Sequence, residues 1–313
     1  MLALLFPGQG SQEVGMGRDV FEGSQAARDI FARADNALGF EISRYCFEGP
    51  EDELRRTEIQ QPALLTTSIA LLGALGESGP VEPAFVAGHS LGEYSALVAS
   101  GAMAFEDAVR VVHARGRYMQ EAVAEGIGAM AAILGSAAEE IDRVCEAVAN
   151  ETGQVVSPAN YNSPQQTVIA GESAAVAAAC EEALQKGAKK VVELPVSAPF
   201  HCALMAPAAE KLRTEIDQLT FQTSFTPVVT NVEAVPNREA TRIPGLLETQ
   251  VTAPVRFTEM VTCLKAEGVT HFLEVGAGRV LSGLLARIER RSKRENLSAA
   301  SDLENARKFV DDA

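Results

Sequence analysis

The chain of 313 residues contains no tryptophan, and only 5% of its residues are aromatic. Its five cysteines are scattered, odd in number and never arranged as Cys-x-x-Cys, so neither a disulfide framework nor a metal site is expected. Reduced thiols predict a cytoplasmic location. Basic residues are scarce, since 27 lysines and arginines against 42 acidic residues give a net charge of -15. This charge disfavours nucleic acid and anionic membranes as partners.

A long apolar run is also missing at the N-terminus. Leu2–Phe6 has no basic residue before it and stops at Pro7-Gly8, so it is too short for a signal peptide or a membrane span. We expect it to form a buried strand. With 47% apolar and 22% charged residues, the composition is that of a globular chain with one large core and a smaller attached unit.

Strand and helix patterns alternate along most of the chain, which predicts an α/β fold with a mostly parallel sheet covered on both faces. Between 126 and 196 the order becomes βαββαβ, which is typical of a small ferredoxin-like unit. We therefore predict a large α/β-hydrolase-like subdomain formed by 1–125 and 197–290, with the ferredoxin-like subdomain 126–196 inserted. Residues 291–313 are polar and are predicted to form a helical or frayed C-terminal tail.

The sequence Gly88-His89-Ser90-Leu91-Gly92 lies between a short apolar run and a helical pattern. A strand that turns sharply through glycines into a helix presents the serine at the turn, which is the context in which Gly-x-Ser-x-Gly indicates a nucleophile. We therefore predict Ser90 as the nucleophile and the Leu91 N–H as an oxyanion donor. The alternative is a serine that only caps the helix.

A serine nucleophile needs a base, and the chain has four histidines. His89 is expected to point away from the serine, while His113 and His271 fit partly buried structural positions. His201 follows a strand in a proline-constrained loop, where sheet proteins place catalytic groups, but position alone leaves its role open. The neighbouring Cys202 fits a packed thiol better than a nucleophile. No acidic residue obviously completes a triad, so the pattern is compatible with a Ser–His dyad oriented by a backbone carbonyl.

Further motifs accompany this turn in a fixed order. They are Phe6-Pro-Gly-Gln-Gly-Ser-Gln12, Gln61-Pro62-Ala63, Gly88-His-Ser-Leu-Gly-Glu-Tyr-Ser-Ala-Leu97, Arg115-Gly116-Arg117, Ala159-Asn-Tyr-Asn-Ser-Pro164, Pro195-Val-Ser-Ala-Pro-Phe-His201, Gln250 ahead of Pro254-Val255-Arg256, and Glu274-Val-Gly-Ala-Gly278. On these stretches, over about positions 4 to 290, the chain resembles the malonyl-coenzyme A:acyl carrier protein transacylases of bacterial fatty-acid synthesis.

The resemblance implies a role for each matching residue. Ser90 would be acylated, His201 would be its base, and Gln9 with the Leu91 N–H would hold the oxyanion. Gln250 would line the site and help to orient the histidine through its backbone carbonyl.

The resemblance also implies that Arg115 binds the malonyl carboxylate, which a guanidinium can meet with two parallel hydrogen bonds. Without the resemblance, pairing of Arg115 with Glu121 or Asp107 on its own helix would be the simpler interpretation. Arg117 is the nearest rival for the carboxylate.

The implied reaction is a ping-pong transfer of malonyl from coenzyme A to Ser90 and then to the pantetheine thiol of acyl carrier protein, without a cofactor. A serine esterase or thioesterase of the α/β-hydrolase type remains an alternative, as do a discrete polyketide-synthase acyltransferase and a non-catalytic carrier-binding module. The sequence does not separate a fatty-acid carrier from a polyketide carrier.

An acidic carrier needs a local basic surface on this acidic chain. Two candidates are the pair Lys189-Lys190, which is slightly favoured, and a C-terminal cluster. The cluster comprises Arg279, Arg287, Arg290, Arg291, Lys293 and Arg294. We expect a monomer, following the family.

Overall fold

A computed structural model describes residues 1–124, 126–196 and 198–313. Within these ranges the strands are β1 (Leu2–Phe6), β2 (Phe85–Gly88), β3 (Gly128–Leu134), β4 (Val156–Ser163), β5 (Gln166–Glu172), β6 (Lys190–Glu193), β7 (Val228–Val229), β8 (Pro236–Asn237), β9 (His271–Val275) and β10 (Lys293–Leu297).

The α-helices of the same ranges are α1 (Arg18–Gly23), α2 (Gln25–Leu38), α3 (Ile42–Glu48), α4 (Glu51–Leu54), α5 (Thr57–Gly76), α6 (Gly92–Ala99), α7 (Phe105–Glu121), α8 (Ala138–Thr152), α9 (Ser173–Gln185), α10 (Ala206–Ile216), α11 (Ile243–Thr252), α12 (Phe257–Ala266), α13 (Val280–Ile288) and α14 (Leu303–Asp311). Short 3-10 helices occur at Ala203–Met205, Ala240–Arg242 and Ala300–Asp302.

The larger sheet has the strand order β10-β9-β1-β2-β7-β8 and is parallel except for the β7–β8 pair. Its central strand β1 is buried along its whole length. Leu4 and Phe6 enter the apolar core on one face of the sheet, whereas Ala3 and Leu5 enter the core on the other. Because successive side chains of a strand point to opposite faces, this pattern requires helices on both sides of the sheet.

The smaller sheet is antiparallel, with the order β4-β5-β3-β6, and α8 and α9 pack on it around a separate apolar core. The chain order β3-α8-β4-β5-α9-β6 is the predicted βαββαβ pattern. The predicted fold class is thus confirmed: a mostly parallel sheet with helices, plus a small second sheet. The subdomain borders at 125 and 197 lie outside the described residues, so that division stays a prediction.

The C-terminal residues contain the helix that the tail prediction allowed, α14, but also a strand that it did not. Lys293–Leu297 pair in parallel with β9 from Lys293↔His271 to Leu297↔Val275, and α14 packs against both strands. The sequence of this strand is polar because a strand at the edge of a sheet buries only some of its side chains. Of its five residues only Leu297 is fully buried.

Helix α5 passes through the core beside α2 and α7. Among the described residues it is the one helix with the length and apolar composition of a membrane span, yet 83% of its most apolar window is buried inside the chain. It is therefore explained as a core helix. It carries Gln60 and Gln61 towards the site described next.

Candidate active site

The turn between β2 and α6 places Ser90 at the carboxyl edge of the larger sheet. Ser90 has a φ of 51°, a left-handed conformation that is rare for a residue with a side chain. Gly88 and Gly92 permit the turn, since a Cβ on Gly88 would lie 2.0 Å from the carbonyl of Gly92, and one on Gly92 would lie 2.0 Å from the Phe6 oxygen. The two glycines of the motif are therefore sterically required.

Ser90 and His201 meet in a buried site. The Ser90 Oγ lies 2.7 Å from His201 Nε2, and His201 Nδ1 lies 2.8 Å from the backbone oxygen of Gln250. Because a carbonyl only accepts, Nδ1 carries the proton and Nε2 has the lone pair that faces the serine hydroxyl. Burial, followed by the nearby charge of Arg115, lowers the pKa of His201 to about 3. The imidazole is thus neutral and can accept a proton from Ser90.

Arg115 reaches the same hydroxyl from α7, and its side chain is fully buried. One terminal nitrogen donates to Ser90 Oγ at 3.1 Å and to Gln250 Oε1 at 3.1 Å, and the other donates to Gln61 Oε1 at 2.8 Å. Its Nε has no hydrogen-bond partner among the described residues. The guanidinium also lies over the Tyr94 ring, 5.5 Å from its centroid. Arg115 therefore brings a buried positive charge to the serine.

These contacts exclude the pairing of Arg115 with Glu121 or Asp107 on its own helix. Asp107 pairs with Arg110 and Glu121 with Lys211, and Arg115 forms no ion pair with a carboxylate of the described ranges. Arg117, the rival for the carboxylate, is exposed. The nearby Glu93 carboxylate interacts with the charge of Arg115 without contacting the guanidinium directly. A buried guanidinium that no carboxylate of the described residues contacts is a strong site for an anionic group, because burial strengthens its electrostatic interactions.

Gln250 on α11 joins the parts of the site. Besides its carbonyl contact to His201, its side chain accepts from Arg115, and its Nε2 donates to the Ser90 oxygen at 3.1 Å and to Glu93 Oε2 at 2.6 Å. Sequence reasoning assigned Gln250 to this place but missed Glu93. The sequence did contain an indication of its role, because Glu93 is the one carboxylate in a mostly apolar helical stretch. A carboxylate that is buried in such a helix must find polar partners.

Asn231 is the second residue that sequence reasoning missed. Its Oδ1 accepts from the Ser90 N–H at 2.7 Å, and its Nδ2 donates to the Gly88 oxygen at 2.7 Å. Its own N–H donates to Glu93 Oε2 at 3.1 Å. Nothing in the local sequence indicates this, because Asn231 is 141 positions from Ser90 and follows a strand of only two residues.

The two candidate oxyanion donors come from adjacent turns. The Leu91 N–H directly follows Ser90 at the start of α6, and no carbonyl of the described residues accepts from it. Gln9 lies in the turn after β1. This turn approaches the serine turn closely, since a Cβ on the neighbouring Gly8 would lie 2.4 Å from the His89 backbone oxygen. The Gln9 side chain is bound elsewhere, since its Nε2 donates to Gln60 Oε1 at 2.6 Å. Any oxyanion contact of Gln9 in this arrangement would use its backbone N–H.

The other candidate residues are occupied away from the hydroxyl. His89 Nε2 lies 2.8 Å from Asn162 Oδ1, and His113 and His271 pack against phenylalanine rings. Cys202 donates to a backbone carbonyl at 3.0 Å, and burial raises the pKa of its thiol to about 11. A thiol with that pKa is not a nucleophile near neutral pH. Within the described ranges no cluster of three or more His, Cys, Asp or Glu could hold a metal ion.

A cleft of about 910 Å³ reaches Phe200, the residue that precedes His201. It runs between the turn after β1, the start of α5 and the segment that follows β6. Its lining includes Gln9, Gln60, Arg117, Leu194 and Phe200.

A serine on a strand–turn–helix, a neutral histidine and a mostly parallel sheet define the class of α/β enzymes that work through an acyl-serine. Comparison with known proteins narrows the class. The chain belongs to the acyl transferase domain family, whose model matches residues 3–304, and it is an acyltransferase.

Two bacterial proteins align with this chain over most of its length. The malonyl CoA-acyl carrier protein transacylase of Bacillus subtilis is 49% identical over 305 residues, which cover 97% of this chain and 96% of the relative. The Escherichia coli K12 protein of the same name is 49% identical over 289 residues, covering 91% and 92%.

Solved structures of similar proteins show the same fold. The malonyl CoA-acyl carrier protein transacylase of Coxiella burnetii superimposes with a TM-score of 0.95 at 42% identity, covering 99% of this chain and 97% of that one. A second structure contains a malonyl-transacylase with its type II polyketide acyl-carrier protein. It gives a TM-score of 0.95 at 44% identity and covers 98% and 99%.

Proposed function

We propose that this protein transfers a malonyl group from malonyl-coenzyme A to the phosphopantetheine thiol of an acyl carrier protein, and so supplies fatty-acid elongation. One observation carries the proposal: the buried Arg115 guanidinium, which no carboxylate of the described residues contacts directly, lies 3.1 Å from the Ser90 hydroxyl. An acyl group with a free carboxylate can be attached to the Ser90 oxygen and can at the same time pair its carboxylate with the Arg115 guanidinium. The names of the similar proteins agree with that acyl group.

In the first half-reaction, Ser90 Oγ attacks the thioester carbonyl while His201 Nε2 takes the hydroxyl proton. The negative oxygen of the tetrahedral intermediate accepts hydrogen bonds from the backbone N–H groups of Leu91 and Gln9. When the intermediate collapses, the carbon–sulfur bond breaks and His201 gives its proton to the departing thiol of coenzyme A. Malonyl-Ser90 remains.

In the second half-reaction, the carrier thiol gives its proton to His201 and attacks the ester carbonyl. Collapse breaks the bond to Ser90 Oγ, which recovers the proton from Nε2. The carbonyl of Gln250 stabilises the imidazolium in both halves, since it accepts from Nδ1 at 2.8 Å. No cofactor enters either half, and we propose that none is needed.

Intact-mass spectrometry after incubation with malonyl-coenzyme A tests the proposal. Wild-type protein is expected to gain one malonyl group, Ser90→Ala none, and acyl carrier protein is expected to discharge the adduct as malonyl-carrier. Release of free malonate as the main product would indicate the thioesterase alternative. A wild-type protein without an adduct would exclude the covalent mechanism.

For the carrier we propose docking at Lys189-Lys190. Both lysines are exposed, and neither forms an ion pair with the described residues. Lys190 begins β6 and Lys189 precedes it, and the strand leads directly into Leu194 at the cleft, about 13 Å from Lys190 along an extended chain. In the competing C-terminal cluster, Arg279 pairs with Asp302 and Arg287 donates to Gln166.

Charge reversal separates the two surfaces. The double variant Lys189→Glu/Lys190→Glu is expected to raise the KM for acyl carrier protein about tenfold while the KM for malonyl-coenzyme A is unchanged. Arg290→Glu/Arg291→Glu in the C-terminal cluster is the matched control. A larger effect of the control would move the docking site to that cluster, and no effect of either would exclude both.

Three further properties belong to the same proposal. The βαββαβ segment at 126–196 acts as a subdomain that closes one side of the cleft, since Leu194 to Val196 line it. The protein acts as a monomer, which size-exclusion chromatography with light scattering can test. Its five unpaired thiols suit the reducing cytoplasm.

A further inference from the structure

Glu93 is a buried carboxylate outside the Ser90–His201 pair, and only 2% of its surface is exposed. It belongs to α6, one helical turn after Ser90. A single oxygen, Oε2, accepts from Gln250 Nε2 at 2.6 Å and from the Asn231 N–H at 3.1 Å. Burying a carboxylate is costly, so its retention here calls for a function that an apolar side chain could not supply.

The first of its two partners holds the serine turn. Asn231 accepts from the Ser90 N–H and donates to the Gly88 oxygen, so that it clamps the turn on both sides of His89. Ser90 needs such a clamp because its φ of 51° is unfavourable for a residue with a side chain. Glu93 fixes the clamp by binding the Asn231 N–H.

The second partner holds the histidine. The Gln250 backbone oxygen accepts from His201 Nδ1, and the Gln250 side chain lies between Arg115 and Glu93, accepting from the first and donating to the second. The Gln250 amide thereby links a buried guanidinium to a buried carboxylate. Displacement of Glu93 Oε2 would release Gln250 and, with it, the carbonyl that selects the tautomer of His201.

We propose that Glu93 is the positioning residue of this site: through Asn231 it sets the Ser90 backbone, and through Gln250 it sets the His201 imidazole. Glu93 does not touch the reacting atoms. Its contribution is the location of one acceptor oxygen that serves both halves of the dyad. The inference rests on the proposed acyl-serine chemistry and adds the residue that aligns it.

Two variants separate the location of the oxygen from its charge. Glu93→Asp keeps the charge but draws the oxygens back by one methylene, whereas Glu93→Gln keeps an acceptor in place without the charge. Single-turnover acylation by malonyl-coenzyme A, followed by intact mass, is expected to slow about 100-fold in Glu93→Asp. Glu93→Gln is expected to retain most of the wild-type rate.

Ser95→Ala provides the matched control, because Ser95 lies buried on the same helix and its hydroxyl has no partner among the described residues. It should acylate at the wild-type rate. Thermal melts verify that all three variants fold. Equal rates for Glu93→Asp and wild type would overturn the proposal, and so would a Glu93→Gln variant as slow as Glu93→Asp. A wild-type protein that forms no malonyl-serine would instead overturn the proposed function.

Discussion

Ser90 and His201, whose reactive atoms lie 2.7 Å apart, both have left-handed backbones, with φ of 51° and 60°. Each such residue costs on the order of 1 kcal/mol relative to an ordinary conformation. Their partners offset this cost, since Asn231 accepts from the Ser90 N–H and the Gln250 carbonyl from His201 Nδ1. The pair is therefore arranged before any substrate arrives, which lowers the cost of reaching the transition state.

Gly92, two positions after the nucleophile, permits a sensitive test of this turn. Gly92→Ala would force a Cβ to within 2.0 Å of the Phe6 oxygen, which is backbone and cannot move aside. We expect the free energy of unfolding to fall by at least about 2–3 kcal/mol, measured by urea denaturation. Gly283→Ala is the control, because Gly283 lies in helix α13 with open space around its Cβ position. There the same change should stabilise by about 0.5–1 kcal/mol, and equal effects at both sites would contradict the steric argument.

Arg115 is expected to determine the choice of acyl group. Arg115→Ala should lower kcat/KM for malonyl-coenzyme A by about ten- to a hundred-fold or more, since a charge-assisted hydrogen bond contributes about 1.5–3 kcal/mol. Acetyl-coenzyme A has no carboxylate, so its kcat/KM should change little. Arg117→Ala is the control, since that side chain is exposed. An equal fall for both thioesters in Arg115→Ala would show that Arg115 holds the dyad rather than the carboxylate.

The nucleophile turn could be predicted from the sequence because it lies in one short local motif, whereas the roles of Gln9, Arg115 and Gln250 came from the resemblance to a family. Gly88 to Gly92 specify the turn through steric rules that act over five positions. The same holds for His201, whose place in a loop left its role open until the resemblance supplied it. Asn231 and Glu93 were missed, because their importance comes from contacts between segments that are far apart in the chain.

The fold shows the same division between local and long-range information. The βαββαβ order followed from the spacing of apolar runs between 126 and 196, and the structure has that order. Lys293–Leu297 was predicted to be tail, yet it is the edge strand beside β9. Hydrophobic patterning identifies strands that are buried on both faces, whereas a polar edge strand is recognisable only from the strand that it joins.

The pH dependence of acylation reports on His201. Because burial and then the charge of Arg115 lower the pKa of His201 to about 3, the imidazole stays unprotonated far below its usual 6.5. We expect log kcat/KM to show no acid limb near pH 6.5 and to decline only as the pH falls towards about 3. Arg115→Gln, assayed with acetyl-coenzyme A, should move that limb to higher pH, because a positive charge near the imidazole is removed. A wild-type limb at 6.5 would contradict the neutral, buried histidine.

Glu93 should make the stability of the protein depend on pH in a defined window. Burial raises the pKa of its carboxyl from 4.5 to about 7, against the opposing hydrogen bonds of Gln250 and Asn231 and the charge of Arg115. Between these two values the folded state binds more protons than the unfolded state. Its stabilising contribution is therefore complete below pH 4.5 and is lost as the pH rises through about 7.

Glu93→Gln removes this titration and isolates its effect. Relative to wild type, the variant is expected to gain up to about 3 kcal/mol in the free energy of unfolding as the pH rises through this window, with no further change above it. Urea denaturation at half-unit pH steps measures the difference. Ser95→Ala, which removes no ionisable group from the same helix, should differ from wild type by a constant amount. A Glu93→Gln difference that is equally flat would mean that Glu93 remains ionised in the folded protein, with Arg115 and its hydrogen bonds outweighing the cost of burial.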